Sequence, residues 1–180
     1  MDISYADCFF DIACELWRRN CSWNLKTSVF EKRFELGGKN TVVGIIFIGD
    51  LYVCPYLHRY TDVCDINKVK YEVLFWNRCG EVLNLPKNYL YFDMQSKEEQ
   101  NFVTKSMDFL KYRGWLKRII KQRKYEKLII LSTLSGIILF DLISKYKYRY
   151  IFDIRDYSYE HLRPFYRIEQ KIIKNSYYTA

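Results

Sequence analysis

The sequence predicts an α/β fold, a parallel sheet with helices on both faces. Two observations carry the prediction. Short, unbroken runs of apolar and β-branched residues recur along the chain: TVVGIIFIG from Thr41, KYEVLFWN from Lys70, KLIILST from Lys127 and YRYIFDI from Tyr148. A strand buried on both faces of a parallel sheet reads as such a run rather than as an alternation. Between the runs lie segments with apolar residues at three- and four-residue steps, the period of a helix, and strands alternating with helices make βαβ units.

Taken in order, residues 1–39 read as an appendage. Asp2 to Arg19 has helical spacing, with Phe9, Ala13, Leu16 and Trp17 near one face, before Gly37 and Gly38 break the chain. The sheet domain spans residues 40–180. Its first strand, Thr41 to Gly49, leads to a helix over Leu57 to Ile66 whose first turn suits Pro55. The KYEVLFWN strand follows. Gly80, Asn84 and Pro86 then mark a loop, and NYLYFDM is a third, shorter strand. Phe102 to Lys124 is a long helix with Val103, Met107, Leu110, Ile119 and Ile120 as its apolar positions and Gly114 weakening its middle. After KLIILST comes a helix over Leu134 to Lys145, then YRYIFDI, a loop from Arg155 to Tyr159, and a helix that Pro164 begins and Ile173 ends. Tyr177 to Thr179 reads as the start of a sixth strand.

Composition narrows the function classes. Apolar residues make up 49% of the chain and aromatic residues 18%, enough for a core, which argues against disorder. The formal net charge of +8 attracts anions, whether acidic lipid, phosphorylated substrate or nucleic acid, although lysine-rich codon usage produces the same excess. Cys8, Cys14, Cys21, Cys54, Cys64 and Cys79 form no CxxC pair, and His58 and His161 stand far from any close pair, so no metal site is expected. Asp2, Asp7, Asp11 and Glu15 occupy the place of a signal core, which points to a cytoplasmic chain with free thiols. The longest apolar run, Leu128 to Phe140, is divided by Ser132, Thr133, Ser135 and Gly136 and falls short of the ~20 residues that span a bilayer.

Ligands of parallel sheets bind beyond the carboxyl ends of the strands. The first such loop, GDLYVCPYLHRY, lacks GxGxxG, and no GxxxxGK[ST] occurs, which disfavours dinucleotide and P-loop sites; no cofactor is expected. STLSG after the fourth long strand either caps a helix or offers backbone N–H groups to an anion. DIRDYSYEH gathers Asp153, Arg155, Asp156, Glu160 and His161 at the mouth of the sheet. Such a cluster suits sugar hydroxyls or proton transfer, and equally a structural Asp–Arg pair. Asp153, at the strand's apolar end, needs a partner, for which Arg155 is the nearest candidate, and Asp156 points to the opposite side. His58 is either a phosphate donor or base, or a satisfied surface residue. From Lys111 to Lys124, basic residues interleave with apolar ones. Trp115, Lys117, Arg118, Lys121 and Lys124 are the candidate contacts to an anionic membrane surface, against the alternative of a solvated helix packed by its stripe.

The opening strand, KLIILST, and YIFDIRD with the helix and tyrosine-rich strand start after it together resemble the amino-terminal domain of family-four glycosyltransferases, over roughly Asn40 to Ala180. The resemblance implies one Rossmann-like half of a GT-B fold, which binds the acceptor across a cleft from a donor-binding half, in polysaccharide or lipid-linked sugar synthesis. Carried over, Asp153, Arg155 and Asp156 line the acceptor side of the cleft, joined by Ser135 and Gly136 from the neighbouring loop. No catalytic residue is fixed, and Asp156 is the candidate. Where many members have a Gly-Gly pair, Gly49 is followed by Asp50 and Leu51, which departs from donor-phosphate contact by this loop. The chain stops where the family continues to its second domain. The implied partners are therefore a donor-domain chain, a sugar or lipid-linked acceptor and an inner-leaflet surface. The competing class is a non-enzymatic binding module with a basic face for RNA or membrane; nucleic acid is not the expected partner.

Overall fold

The computed structural model describes residues 42–80, 84–96, 101–154 and 163–179. The chain divides after Gly37, and everything described lies in the second unit, Gly38–Ala180. Six parallel strands form one sheet: β1 (Val42–Ile46), β2 (Lys70–Asn77), β3 (Tyr89–Asp93), β4 (Lys127–Leu131), β5 (Tyr150–Asp153) and β6 (Tyr178–Thr179). Their order is β3-β2-β1-β4-β5-β6, that of a doubly wound Rossmann-like sheet whose direction of winding reverses between β1 and β4. All the predicted strands are present, including the short sixth.

Successive side chains of each strand point to opposite faces, and in the central strands both faces are buried. On one face Ile46, Leu74, Trp76, Ile130 and Phe152 form a continuous core with α2 (Phe102–Arg123), α3 (Thr133–Ile138), α4 (Phe140–Ile143) and α5 (Arg163–Asn175). On the other, Val43, Ile45, Val73, Phe75, Ile129 and Ile151 are equally buried, and α1 (Leu57–Ile66) serves that side. The register sets Ile46 opposite Leu74 and Ile130, so the central strands bring buried apolar residues level.

Helix α2 is fixed at both ends. The Asn101 side chain accepts from the Thr104 N–H at 2.8 Å, and Lys124 closes the helix in the left-handed conformation. Its buried stripe is Asp108, Tyr112, Leu116 and Ile120, which corrects part of the expected one. Val103, Met107 and Leu110 lie on the solvent side, while Ile119 and Ile120 do face the sheet. Trp115 also turns inward. It stacks on Tyr112 at 5.8 Å, Tyr112 stacks on Trp76 at 5.3 Å, and the Tyr112 hydroxyl donates to the Phe47 carbonyl at 2.7 Å. Stacked aromatic rings gain more from one another than from solvent, which selects this face. The predicted helix over Leu134 to Lys145 is broken: α3 ends before Leu139, and α4 is followed by a 3-10 turn at Ser144–Tyr146. Leu139 is fully buried, and the bend keeps its side chain in the core.

Candidate functional site

The carboxyl edge of the sheet collects the polar side chains. After β1, Asp50 joins two loops. Its Oδ1 accepts from the backbone N–H of Arg78 at 2.7 Å and of Cys79 at 3.1 Å, and its Oδ2 lies 3.4 Å from the Cys79 Sγ. These bonds commit Asp50 to holding the β1 and β2 loops together. At the end of β2, Asn77 donates to the Asp93 carboxylate at 3.1 Å, tying β2 to β3.

The reversal point between β1 and β4 is more unusual. Ser132 leaves β4 at φ 76° and ψ 148°, a conformation that a non-glycine residue adopts at a cost of about 1–3 kcal/mol. Its backbone N–H donates to the Asp153 carbonyl at 3.0 Å, and its hydroxyl lies 3.0 Å from that of Ser135. Next to it stand two buried carboxylates. Asp153, opposite Leu131 in the sheet and 1% exposed, accepts the Tyr60 hydroxyl of α1 at 2.6 Å. Glu169 of α5, 2% exposed, lies 3.5 Å from the Thr133 hydroxyl. Each carboxylate thus meets a hydroxyl, which gives a buried acceptor a donor.

The predicted site residues divide. Asp153 sits at the sheet's mouth with a partner, as its burial requires; Tyr60 is one such partner. Arg155, Asp156, Glu160 and His161 lie outside the described residues. Ser135 is buried and bonded to Ser132. Gly136 is a packing position: a Cβ there would fall 2.6 Å from the Phe152 ring and 3.3 Å from Ile172, so α3 approaches the sheet only because the residue has no side chain. His58 is exposed, and its carbonyl accepts from the Thr61 hydroxyl at 3.0 Å. Sequence reasoning placed Thr133 in the candidate STLSG loop but missed Tyr60 and Glu169. Glu169 carried a signal, since it shares the apolar line of α5 with Phe165, Ile168 and Ile172.

The basic helix is rearranged relative to expectation. Trp115 belongs to the aromatic stack rather than to an outer surface. Lys117 and Arg113 both engage Asp141, at 2.6 and 2.7 Å. Burial pushes the Asp141 carboxyl up, but those two hydrogen bonds outweigh it and bring the group down to about 2. Arg123 reaches Glu72 at 3.6 Å. Arg118, Lys121 and Lys124 remain exposed without an ion-pair partner among the described residues. Among those residues, no helix is long and apolar enough to cross a membrane, and no three His, Cys, Asp or Glu side chains gather as a metal-holding group. Comparison with known protein families, with curated proteins and with solved structures finds no significant match to this chain.

Proposed function

We propose that this domain is the acceptor-side half of a GT-B glycosyltransferase acting in polysaccharide or lipid-linked sugar synthesis, and that it requires a donor-binding half for turnover. The observation that carries the reading is the pair of buried carboxylates, Asp153 of β5 and Glu169 of α5, each met by a hydroxyl at the carboxyl edge of a Rossmann-like sheet, beside the strand at which its winding reverses. This is where open α/β sheets bind ligands, and carboxylates of this kind suit the hydroxyls of a sugar. The strain at Ser132 lies at the same point, and stored backbone strain clusters at ligand sites. Asp156, two residues past the described end of the β5 loop, is the residue proposed to face the acceptor.

The test uses the full chain with a short-chain prenyl-phosphate sugar as acceptor analogue. Backbone amide shifts confined to Tyr60, Ser132, Thr133, residues 153–156 and Glu169 are expected, and Asp156→Asn should weaken binding without moving Tm. Asp153→Asn should lower Tm, because a buried hydrogen-bonded carboxylate loses its charge. With nucleotide sugars added, the chain alone should form no glycoside. Shifts elsewhere, or robust turnover by the chain alone, would overturn the reading.

A second reading is a non-enzymatic module with an anion-binding face, for an acidic membrane or RNA. Exposed Arg118, Lys121 and Lys124 favour it. Salt-sensitive binding to anionic vesicles or to RNA, lost on charge reversal of these three residues, together with no response to the acceptor analogue, selects this reading over the first.

A further inference from the structure

Opposite its buried stripe, α2 presents a second line of residues at four- and three-residue steps: Val103, Met107, Leu110, Gly114, Arg118 and Lys121. Its apolar part is open to solvent. Val103 is 71% exposed, Met107 51% and Leu110 54%, with Phe102 beside the line at 84%. Beyond Gly114 a Cβ would meet no atom within 4 Å, so a second backbone can come close there. By helical rise the line from Val103 to Lys121 runs about 27 Å, with its apolar portion in the first turns and its cations in the last. The neighbouring cations, Lys117 and Arg113, are occupied by Asp141, whereas Arg118 and Lys121 have no ion-pair partner among the described residues.

We propose that this outer line of α2 docks an amphipathic helix of another protein, one whose apolar seam ends in acidic residues. A seam one residue wide with 3.5-residue spacing matches a facing helix. Arg118 and Lys121 lie on the same line as Leu110, not on its flanks. A flat bilayer that took up Leu110 would drive both cations to the same depth, whereas a facing helix can set carboxylates opposite them. A second copy of the chain brings the same cations and no complementary charge on this line. Acidic side chains on the partner supply both the attraction and the register. The inference stands apart from the acceptor reading, since α2's outer face and the carboxyl edge share no residue.

Two labelled synthetic helices of about four turns test it. They carry the same leucine seam, with Glu in one and Lys in the other at the positions facing Arg118 and Lys121. Fluorescence anisotropy with the full chain should show the Glu peptide binding at least ~10-fold tighter, which is 1.4 kcal/mol. Arg118→Glu/Lys121→Glu should invert the preference. Met107→Gln/Leu110→Gln should abolish binding of both peptides; these side chains are exposed, so the variant's melting curve should match that of the parent. Equal affinity for the two peptides, or binding that survives Met107→Gln/Leu110→Gln, would overturn the proposal. So would anionic phosphatidylserine vesicles that bind through these residues while the Glu peptide does not, or a concentration-dependent dimer abolished by Leu110→Gln.

Discussion

At the amino end of the sheet, polar groups close on one another. Tyr125, just before β4, is buried and its hydroxyl is bonded to the Glu72 carboxylate of β2, which Arg123 also approaches at 3.6 Å. Burial, reinforced by Glu72, raises the Tyr125 phenol far above its usual range. Gly44 fits beneath that ring, where a Cβ would come within 3.1 Å of it. At the carboxyl end, Asp153 and Glu169 meet hydroxyls from distant elements, and Ser132 is held in a strained conformation. The two ends thus use their polar groups differently. At the amino end they close on one another, whereas the carboxyl end holds Ser132 at φ 76° and ψ 148°, a backbone cost that makes this end the candidate for a site.

Substitutions at the two ends should therefore differ in size and, at Ser132, in sign. Tyr125→Ala is expected to cost the most, about 3–5 kcal/mol, because it opens a cavity under β1 and β4 and leaves Glu72 without its donor. Chemical denaturation measures this, and a loss below about 1 kcal/mol would remove the closure from the comparison. Tyr60→Phe should cost about 1–3 kcal/mol, by depriving buried Asp153 of a hydrogen bond. An unchanged midpoint would mean that Asp153 draws its stabilisation from elsewhere in the loop. Ser132→Gly should move the other way and raise stability by roughly 1 kcal/mol, since glycine adopts φ 76° without strain and is a tolerated cap. A gain accompanied by weaker binding of the acceptor analogue would identify the strain as functional.

The smallest effect concerns pH and belongs to the amino end, toward which the last turn of α1 points. Burial, with Asp65 adding to it, pushes the Cys64 thiol from its ordinary value of 9.0 up to about 12. In the unfolded chain this thiol ionises near its ordinary value. Its contribution is thus fully present below that pH and is lost as pH rises from about 9 toward 12. The loss should stay below about 1 kcal/mol at pH 9.5. Stability of Cys64→Ala, followed by urea titration, should decline less steeply than that of the parent above about pH 9; parallel declines would assign alkaline sensitivity to other groups.

Much of the fold was legible because buried parallel strands carry their signal in consecutive residues: VVGII, VLFW, LIIL and YIF each announce a strand without reference to any partner. Helix α2 was legible as a helix but not in its orientation. Two lines of residues on it have helical spacing, Val103–Met107–Leu110 and Tyr112–Leu116–Ile120, and hydropathy does not say which one meets the sheet. The stacking of Tyr112 between Trp76 and Trp115 decided it. The same choice removed Trp115 from the surface on which it had been expected.

Of the candidate site, Asp153 could be found from sequence, because a carboxylate at the apolar end of a strand must be partnered. The contact with Tyr60 could not, because Tyr60 is 93 residues away and its approach depends on how α1 lies against the sheet. Thr133 and Glu169 are likewise joined only when α3 and α5 pack, which Gly136 permits by lacking a side chain. The sequence alone thus determined the elements, their parallel arrangement and the end of the sheet at which polar residues gather, since periodicity and turn chemistry are local. The tertiary structure decided which face of α2 is buried, which cations pair with Asp141 and which hydroxyl meets which carboxylate, since those depend on distances between segments that no local pattern encodes.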